Sequence, residues 1–305
     1  MVEITRALDL NAEQEALIDM HSFLNVLNIL ACELDLMAYG LGDSRPIQEA
    51  LALVHEFANA LQTPERAAPW LADPQSLQNR IHTLITQGLE NTTPDAELRA
   101  SVDNIESVLA ILGTRVRELE ARSDKPLGWT WLEVDPLRMD FWHLLMAIEK
   151  NSKGRYRIIQ NIAEQQPEDY LIKVDIDSLE SEHLYVPAIF QDVMRDLLAN
   201  ARKYTPPGGR ILAGLKETDH EVRFVVDDTG VGIPPHQIED IVEFGVRGEN
   251  VRDRPTRGGG FGLTKAYWVV SHCNGRMWID SDLGVGTRIE IALPRPSPQT
   301  TPPPR

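Results

Sequence analysis

The chain has 305 residues, 42% hydrophobic and 25% charged, with a net charge of −16. That length and apolar content suit two domains with their own cores, and the acidic balance argues against a face that binds a phosphate backbone, so no nucleic-acid partner is expected. No run of about 18 apolar residues and no signal-peptide pattern stand out, so the expectation is a cytoplasmic protein without membrane insertion, and Cys32 and Cys273, each in an apolar segment, read as free thiols.

Residues 11–40 read as one long helix, with Asn11 as N-cap and Gly40 and Gly42 as stop signals. Leu17, Phe23, Leu24, Leu27, Leu30, Leu34 and Met37 help make it apolar over most of its circumference, as a helix buried between partners should be. Against that background Gln14, His21, Asn25, Asn28, Cys32 and Asp35 recur at helical spacing and form one polar stripe. Three further helices follow over 46–62, 73–90 and 94–122, punctuated by Pro46, Pro64, Pro69, Pro74 and Pro94.

The pattern changes near Pro126. Residues 135–151 read as a helix, 155–162 and 170–176 as strands, and 187–203 as a helix again. Strands and helices then alternate to Pro294, which predicts a layered α/β sandwich. The expected organisation is therefore α+β: a helical domain over 1–124, an α/β sandwich domain over 125–294, and an extended proline-rich tail over 295–305.

Two glycine clusters carry the chemistry of the second half. In Asp228-Thr229-Gly230-Val231-Gly232, an acid precedes a turn whose glycines let the backbone approach a flat base, and the carboxylate can accept from an adenine amino group. In Gly258-Gly259-Gly260-Phe261-Gly262-Leu263 a glycine-rich turn runs into an apolar helical segment, so backbone N–H groups at a helix start can face phosphate oxygens. Neither cluster has the spacing of a P-loop or of a dinucleotide-binding βαβ unit. The polar run from Gly245 to Arg257 between them reads as a mobile lid.

The order of these elements resembles the ATP-binding domain of sensor histidine kinases. Asp196 to Gly209, which includes Asn200-Ala201-Arg202-Lys203-Tyr204-Thr205-Pro206-Pro207-Gly208-Gly209, resembles the N box. Asp228 to Ile233 resembles the first glycine box, Phe244 to Gly248 the F box, Gly258 to Leu263 the second glycine box, and Gly284-Val285-Gly286-Thr287 completes the set. The resemblance implies ATP and Mg²⁺ as cofactors. It places Asn200, with Asp196 as a second candidate, at the metal and Lys203 at phosphate. Tyr204, Asp228, Gly230, Gly232, Gly258, Gly260, Gly262, Leu263 and Thr287 fall in the nucleotide pocket, and Asp192, two helical turns before Asn200, is the candidate general base.

His21, with Asn25 one turn on, resembles the phosphoacceptor segment of the kinase dimerisation helix. This implies a homodimer that phosphorylates itself on His21 and passes the group to the receiver domain of a response regulator under an upstream sensor or signalling protein. The sequence departs from the family where Ser22 replaces the usual acid and Val26 the usual proline. His55-Glu56 offers a second acceptor with the acid in place. Two other readings stay open: a non-catalytic dimeric ATP-binding regulator or phosphotransfer protein, and a serine/threonine kinase of the anti-sigma type.

Overall fold

The computed structural model describes all residues except 43, 62, 91, 123–124, 152–153, 253–259 and 299–305. It divides into two compact units, residues 10–124 and residues 1–9 with 125–305. Helices come first and an α/β sandwich after them, the α+β order that the periodicities predict.

The helical unit contains α1 (Ala12–Asp19), α2 (His21–Gly40), α3 (Arg45–Ala60), α4 (Pro64–Leu71), α5 (Pro74–Leu89) and α6 (Ala96–Arg122). The expected single helix over 11–40 is two helices, separated at Met20. A capping box opens α1: the Asn11 side chain accepts from the Gln14 N–H, and the Gln14 side chain accepts from the Asn11 N–H. Nothing at Met20 is a glycine or proline, which is why the break left no mark in the sequence. α4 was not expected between two prolines, yet Pro64 sits in its first turn, where a missing N–H costs nothing.

α2, α3, α5 and α6 form a four-helix bundle in which α2 touches α3 and α6, and α5 touches the same two. Leu27, Leu30, Leu34 and Met37 of α2 meet Val54 and Phe57 of α3, Ile81 of α5 and Leu112 and Val116 of α6 in one core. α2 is long and apolar enough to cross a bilayer by length and composition alone, but these residues place one face of it inside the bundle. Its opposite face leaves Ile29, Leu36 and Tyr39 exposed.

The second unit contains β1 (Val2–Glu3), β2 (Trp129–Glu133), α7 (Val134–Asn151), β3 (Ile158–Ile159), β4 (Tyr170–Asp177), β5 (His183–Pro187), α8 (Phe190–Tyr204), β6 (Arg210–Glu217), β7 (Glu221–Asp228), α9 (Gly262–His272), β8 (Arg276–Asp282) and β9 (Gly286–Pro294). Seven strands form a mixed sheet in the order β1-β8-β9-β7-β6-β4-β3, and β2 pairs with β5 in a separate ribbon. The strand expected over 155–162 is short, and the helix expected from 187 begins at Phe190 because Pro187 ends β5.

Alternation decides which face of the sheet is covered. Ile211, Ala213 and Leu215 of β6, Val222, Phe224 and Val226 of β7, and Ile289, Ile291 and Leu293 of β9 recur at period two and are buried. They share a core with Phe190, Met194, Leu197 and Ala201 of α8 and Ala266, Val269 and Val270 of α9. The layer of helices is thereby fixed over the strand ends that carry the glycine turns.

The first nine residues belong to this unit, not to the helical one. β1 pairs antiparallel with β8, the Ile4 N–H donates to the Met277 carbonyl, and Ile4 is buried in the core. Arg6 bridges Asp240 and Glu243, and its carbonyl accepts from the Tyr267 hydroxyl at 2.7 Å. A two-residue strand is too short to carry a readable alternation. Ile4→Ala is expected to destabilise the unit by about 2–5 kcal/mol and to speed amide exchange along β8. Exchange in β8 that does not change would show that β1 adds nothing to the sheet.

Candidate nucleotide-binding site

Three backbone segments meet where β7 ends. Asp228, the last residue of β7, pairs with Ile211 of β6 on one side and Thr287 of β9 on the other. Its Oδ1 accepts from the Gly230 N–H at 2.7 Å and the Thr287 N–H also donates to the carboxylate, while the Thr205 hydroxyl donates to the Ala201 carbonyl at 2.7 Å. Burial outweighs these donors and, with the neighbouring Asp227 charge, pushes the carboxyl up to about 6.

The turn after Asp228 is tied to both flanking elements. The Val231 N–H donates to the Tyr204 carbonyl at the end of α8, and the Val231 carbonyl accepts from the Gly284 N–H in the β8–β9 hairpin. Gly232 has φ of +72°, and a side chain there would overlap the Asp282 carbonyl. The Ile233 N–H donates to Ser281 Oγ at 2.8 Å, Ser281 Oγ lies 2.9 Å from Thr287 Oγ1, and the Asn250 amide donates to the Gly232 carbonyl. Ser281 and Asn250 belong to none of the sequence motifs, and Thr205 lies in the N-box string without an expected role of its own. Ser281 could have been found: it continues the alternation Met277, Ile279, Ser281, where a polar residue on a buried face needs a partner.

The second half of the site lies between α8 and α9. Asp196 and Asn200 stand one turn apart on α8, and a Cβ on Gly262 would sit 2.8 Å from the Asn200 amide nitrogen and 3.7 Å from the Asp196 Cβ. The glycine is what lets the start of α9 come this close. Gly260 has φ of +80°, the half-buried Leu263 packs against the core, and the Thr264 hydroxyl donates to the Glu243 carbonyl. The Phe244 and Phe261 rings are 4.7 Å apart and join the two ends of the lid segment. Lys203 holds its ammonium 5.1 Å from the Tyr204 ring centre. Gly258, Gly259 and the expected lid beyond Arg252 lie outside the described residues.

Asp192 has a place the sequence did not foretell. One oxygen accepts from Arg195 at 2.6 Å and the other from Lys265 of α9 at 3.0 Å, all three side chains being buried. The reading as a general base did not contain these two cations. In the helical unit, His21 is the first residue of α2, and its Nε2 lies 3.0 Å from the Asn25 amide nitrogen. His21 is buried, whereas Asn28 and Asp35 further along the stripe are exposed, Gln14 is drawn into the cap of α1, and His55 is exposed on α3.

Residues 185–297 match the family of histidine kinase-, DNA gyrase B- and HSP90-like ATPases. The adaptive-response sensory kinase SasA of Synechococcus elongatus is 29% identical over 253 residues, covering 81% of this chain and 59% of that protein. The sensor histidine kinase RppB of a Synechocystis species is 37% identical over 102 residues, covering 33% of this chain and 22% of that one. The chain is similar to sensor histidine kinases over the stretches matched. It spans less than two thirds of the length of these two kinases. Among solved structures, the catalytic domain of the histidine kinase ThkA aligns with a TM-score of 0.40 at 19% identity, covering 55% of this chain and 97% of that one.

The segment matched by that family thus contains Asp228, Asn200 and the start of α9 together. Asp228→Asn should weaken ATP binding about 10- to 150-fold, the loss of a charge-assisted hydrogen bond. It should also stabilise the nucleotide-free fold at pH 7.5. A carboxyl that titrates near 3.9 unfolded and about 6 folded loses its proton first in the unfolded chain, so stability falls as pH rises from about 4 to about 6 and stays reduced above. Asparagine has no such charge to bury. Melting curves at pH 4 and 7.5 check this, and an unchanged difference between variant and parent would contradict it.

Proposed function

We propose that the chain is an ATP-dependent protein histidine kinase that phosphorylates itself on His21 and passes the phosphoryl group to the aspartate of a response regulator receiver domain. The observation that supports this most is the joint placement of the Asp228 turn, Asn200 and the amino end of α9 in a segment of the histidine kinase-like ATPase family. Asp228 would accept from the adenine amino group, with Gly230 and Gly232 letting the base lie against the backbone. Thr287 would hold the carboxylate in orientation, while Tyr204 and Leu263 flank the nucleotide.

Gly260 and Gly262 would open the first turn of α9 to the phosphates, and Lys203 would neutralise part of their charge. Asn200 and Asp196 offer hard oxygen donors one turn apart beside that turn, a set that suits Mg²⁺ completed by phosphate oxygens and water. Mg²⁺ held there supplies charge neutralisation and alignment, which carry most of phosphoryl transfer. On the acceptor side, an Asn25 amide that donates to Nε2 keeps the ring proton on Nδ1, the tautomer a nucleophile at Nε2 requires, and this hydrogen bond must open to release the Nε2 lone pair for attack. Ser22 cannot act as the adjacent carboxylate, so transfer should be slow.

ATP and Mg²⁺ should give an acid-labile, base-stable phosphoryl group that is lost in His21→Ala and kept in His55→Ala. Label that survives His21→Ala and disappears in His55→Ala would move the acceptor to α3, and no label with ATP still bound would remove the kinase reading.

The protein would work as a cytoplasmic homodimer that receives its signal from a separate sensor or signalling protein. Ile29 and Leu36, seven residues apart with Tyr39 one turn further, give the outer face of α2 a seam that a second copy can cover across a two-fold axis. Leu36→Asp should convert a dimer to a monomer in sedimentation. A variant with the same sedimentation coefficient as the parent would place the dimer contact elsewhere.

A further inference from the structure

We propose that Lys265 is a positioning residue for phosphoryl transfer, acting through Asp192 to fix the amino end of α9 against α8. The inference rests on the kinase reading for its rate measurement, but its geometry is independent of that reading. Lys265 is fully buried, and its ammonium donates to Asp192 Oδ2 at 3.0 Å. Arg195 donates to the other oxygen at 2.6 Å and lies 3.7 Å from Asp140 on α7, whose carboxylate also accepts from Gln191 at 2.8 Å. The chain of charges therefore runs from α9 through α8 to α7.

Its position along the helix pair gives it a purpose. Gly262 touches α8 at Asn200 and Asp196, and Lys265, three residues further into α9, reaches Asp192, one turn before Asp196. A helix held at one point can pivot, whereas two points of contact along its length fix its rotation and rise. The carbonyl of Glu243 accepts from Thr264, so the same first turn is also fastened on its other side. The groups held by these fastenings are the N–H groups of the α9 start and the side chains of Asn200 and Asp196.

An apolar side chain at 265 would match the rest of the buried face of α9, where Ala266, Val269 and Val270 pack. A buried ion pair is a poor source of stability compared with such packing, but it is directional and tolerates only one register. Reaction rate is sensitive to that register, because a displacement of about 1 Å in an aligned site can lower it about 100-fold. Asp192 is thereby explained without a role as proton acceptor: its oxygens orient Lys265.

The test uses the full chain with Lys265→Met, which keeps the volume and removes the charge, and Lys265→Arg, which keeps a cation. Each is assayed well below its melting temperature for ADP affinity, affinity for a non-hydrolysable ATP analogue, and autophosphorylation at saturating ATP. Positioning predicts that Lys265→Met keeps ADP affinity within about threefold, loses the added affinity of the analogue over ADP, and transfers phosphoryl about 10- to 100-fold more slowly, with Lys265→Arg in between. A rate and affinity ratio equal to the parent's would overturn the proposal, and so would a parallel loss of ADP affinity and rate, which marks general damage to the fold. If the parent itself forms no phosphohistidine, the kinase reading fails, and the ratio of analogue to ADP affinity alone decides: its loss in Lys265→Met supports positioning and its retention overturns it.

Discussion

The arrangement depends on one half-buried carboxylate. Asp228 stands at the end of a central strand, its oxygens receive the Gly230 and Thr287 N–H groups, and the turn it holds is tied to α8 through the Val231 N–H and the Tyr204 carbonyl. Partial burial makes the charged form costly, and the fold tolerates that cost because a charged acceptor in a fixed position is what reads an amino group on a flat base. The glycines around it follow from the same need, since a side chain at Gly230 would collide with the carboxylate and one at Gly232 with the Asp282 carbonyl.

A second constraint is the close approach of α8 and α9. Neither helix is a good anion site alone; together they bring the Asn200 amide against the first turn of α9 because residue 262 has no side chain. The sheet makes this possible at a distance. Val222, Phe224 and Val226 offer α8 a surface, Ile289 and Ile291 continue it, and both helices are laid over the strand ends where the turns emerge. Pocket and core are therefore the same construction seen from two sides.

Legibility in the sequence followed range. The glycine turns, the N-box helix and the alternating strands were readable because each is a local demand of backbone geometry or burial on neighbouring residues. Features that pair residues far apart were not: Asp192 read as a base, nothing in the sequence linked it to Lys265, and only folding puts one 3.0 Å from the other. β1 was invisible because two residues carry no period, and the break at Met20 because both sides are good helix. α3 and α5 were visible singly, but that they complete a bundle core within one chain follows only from packing.

The central claim is that Asp228 reads the adenine amino group, and the most direct measurement is calorimetric comparison of ADP with IDP, which carries a carbonyl where adenine has the amine. The account predicts that ADP binds at least about 10-fold more tightly at pH 7.5, since IDP leaves the half-buried carboxylate facing another acceptor. Equal affinities for the two nucleotides would contradict it.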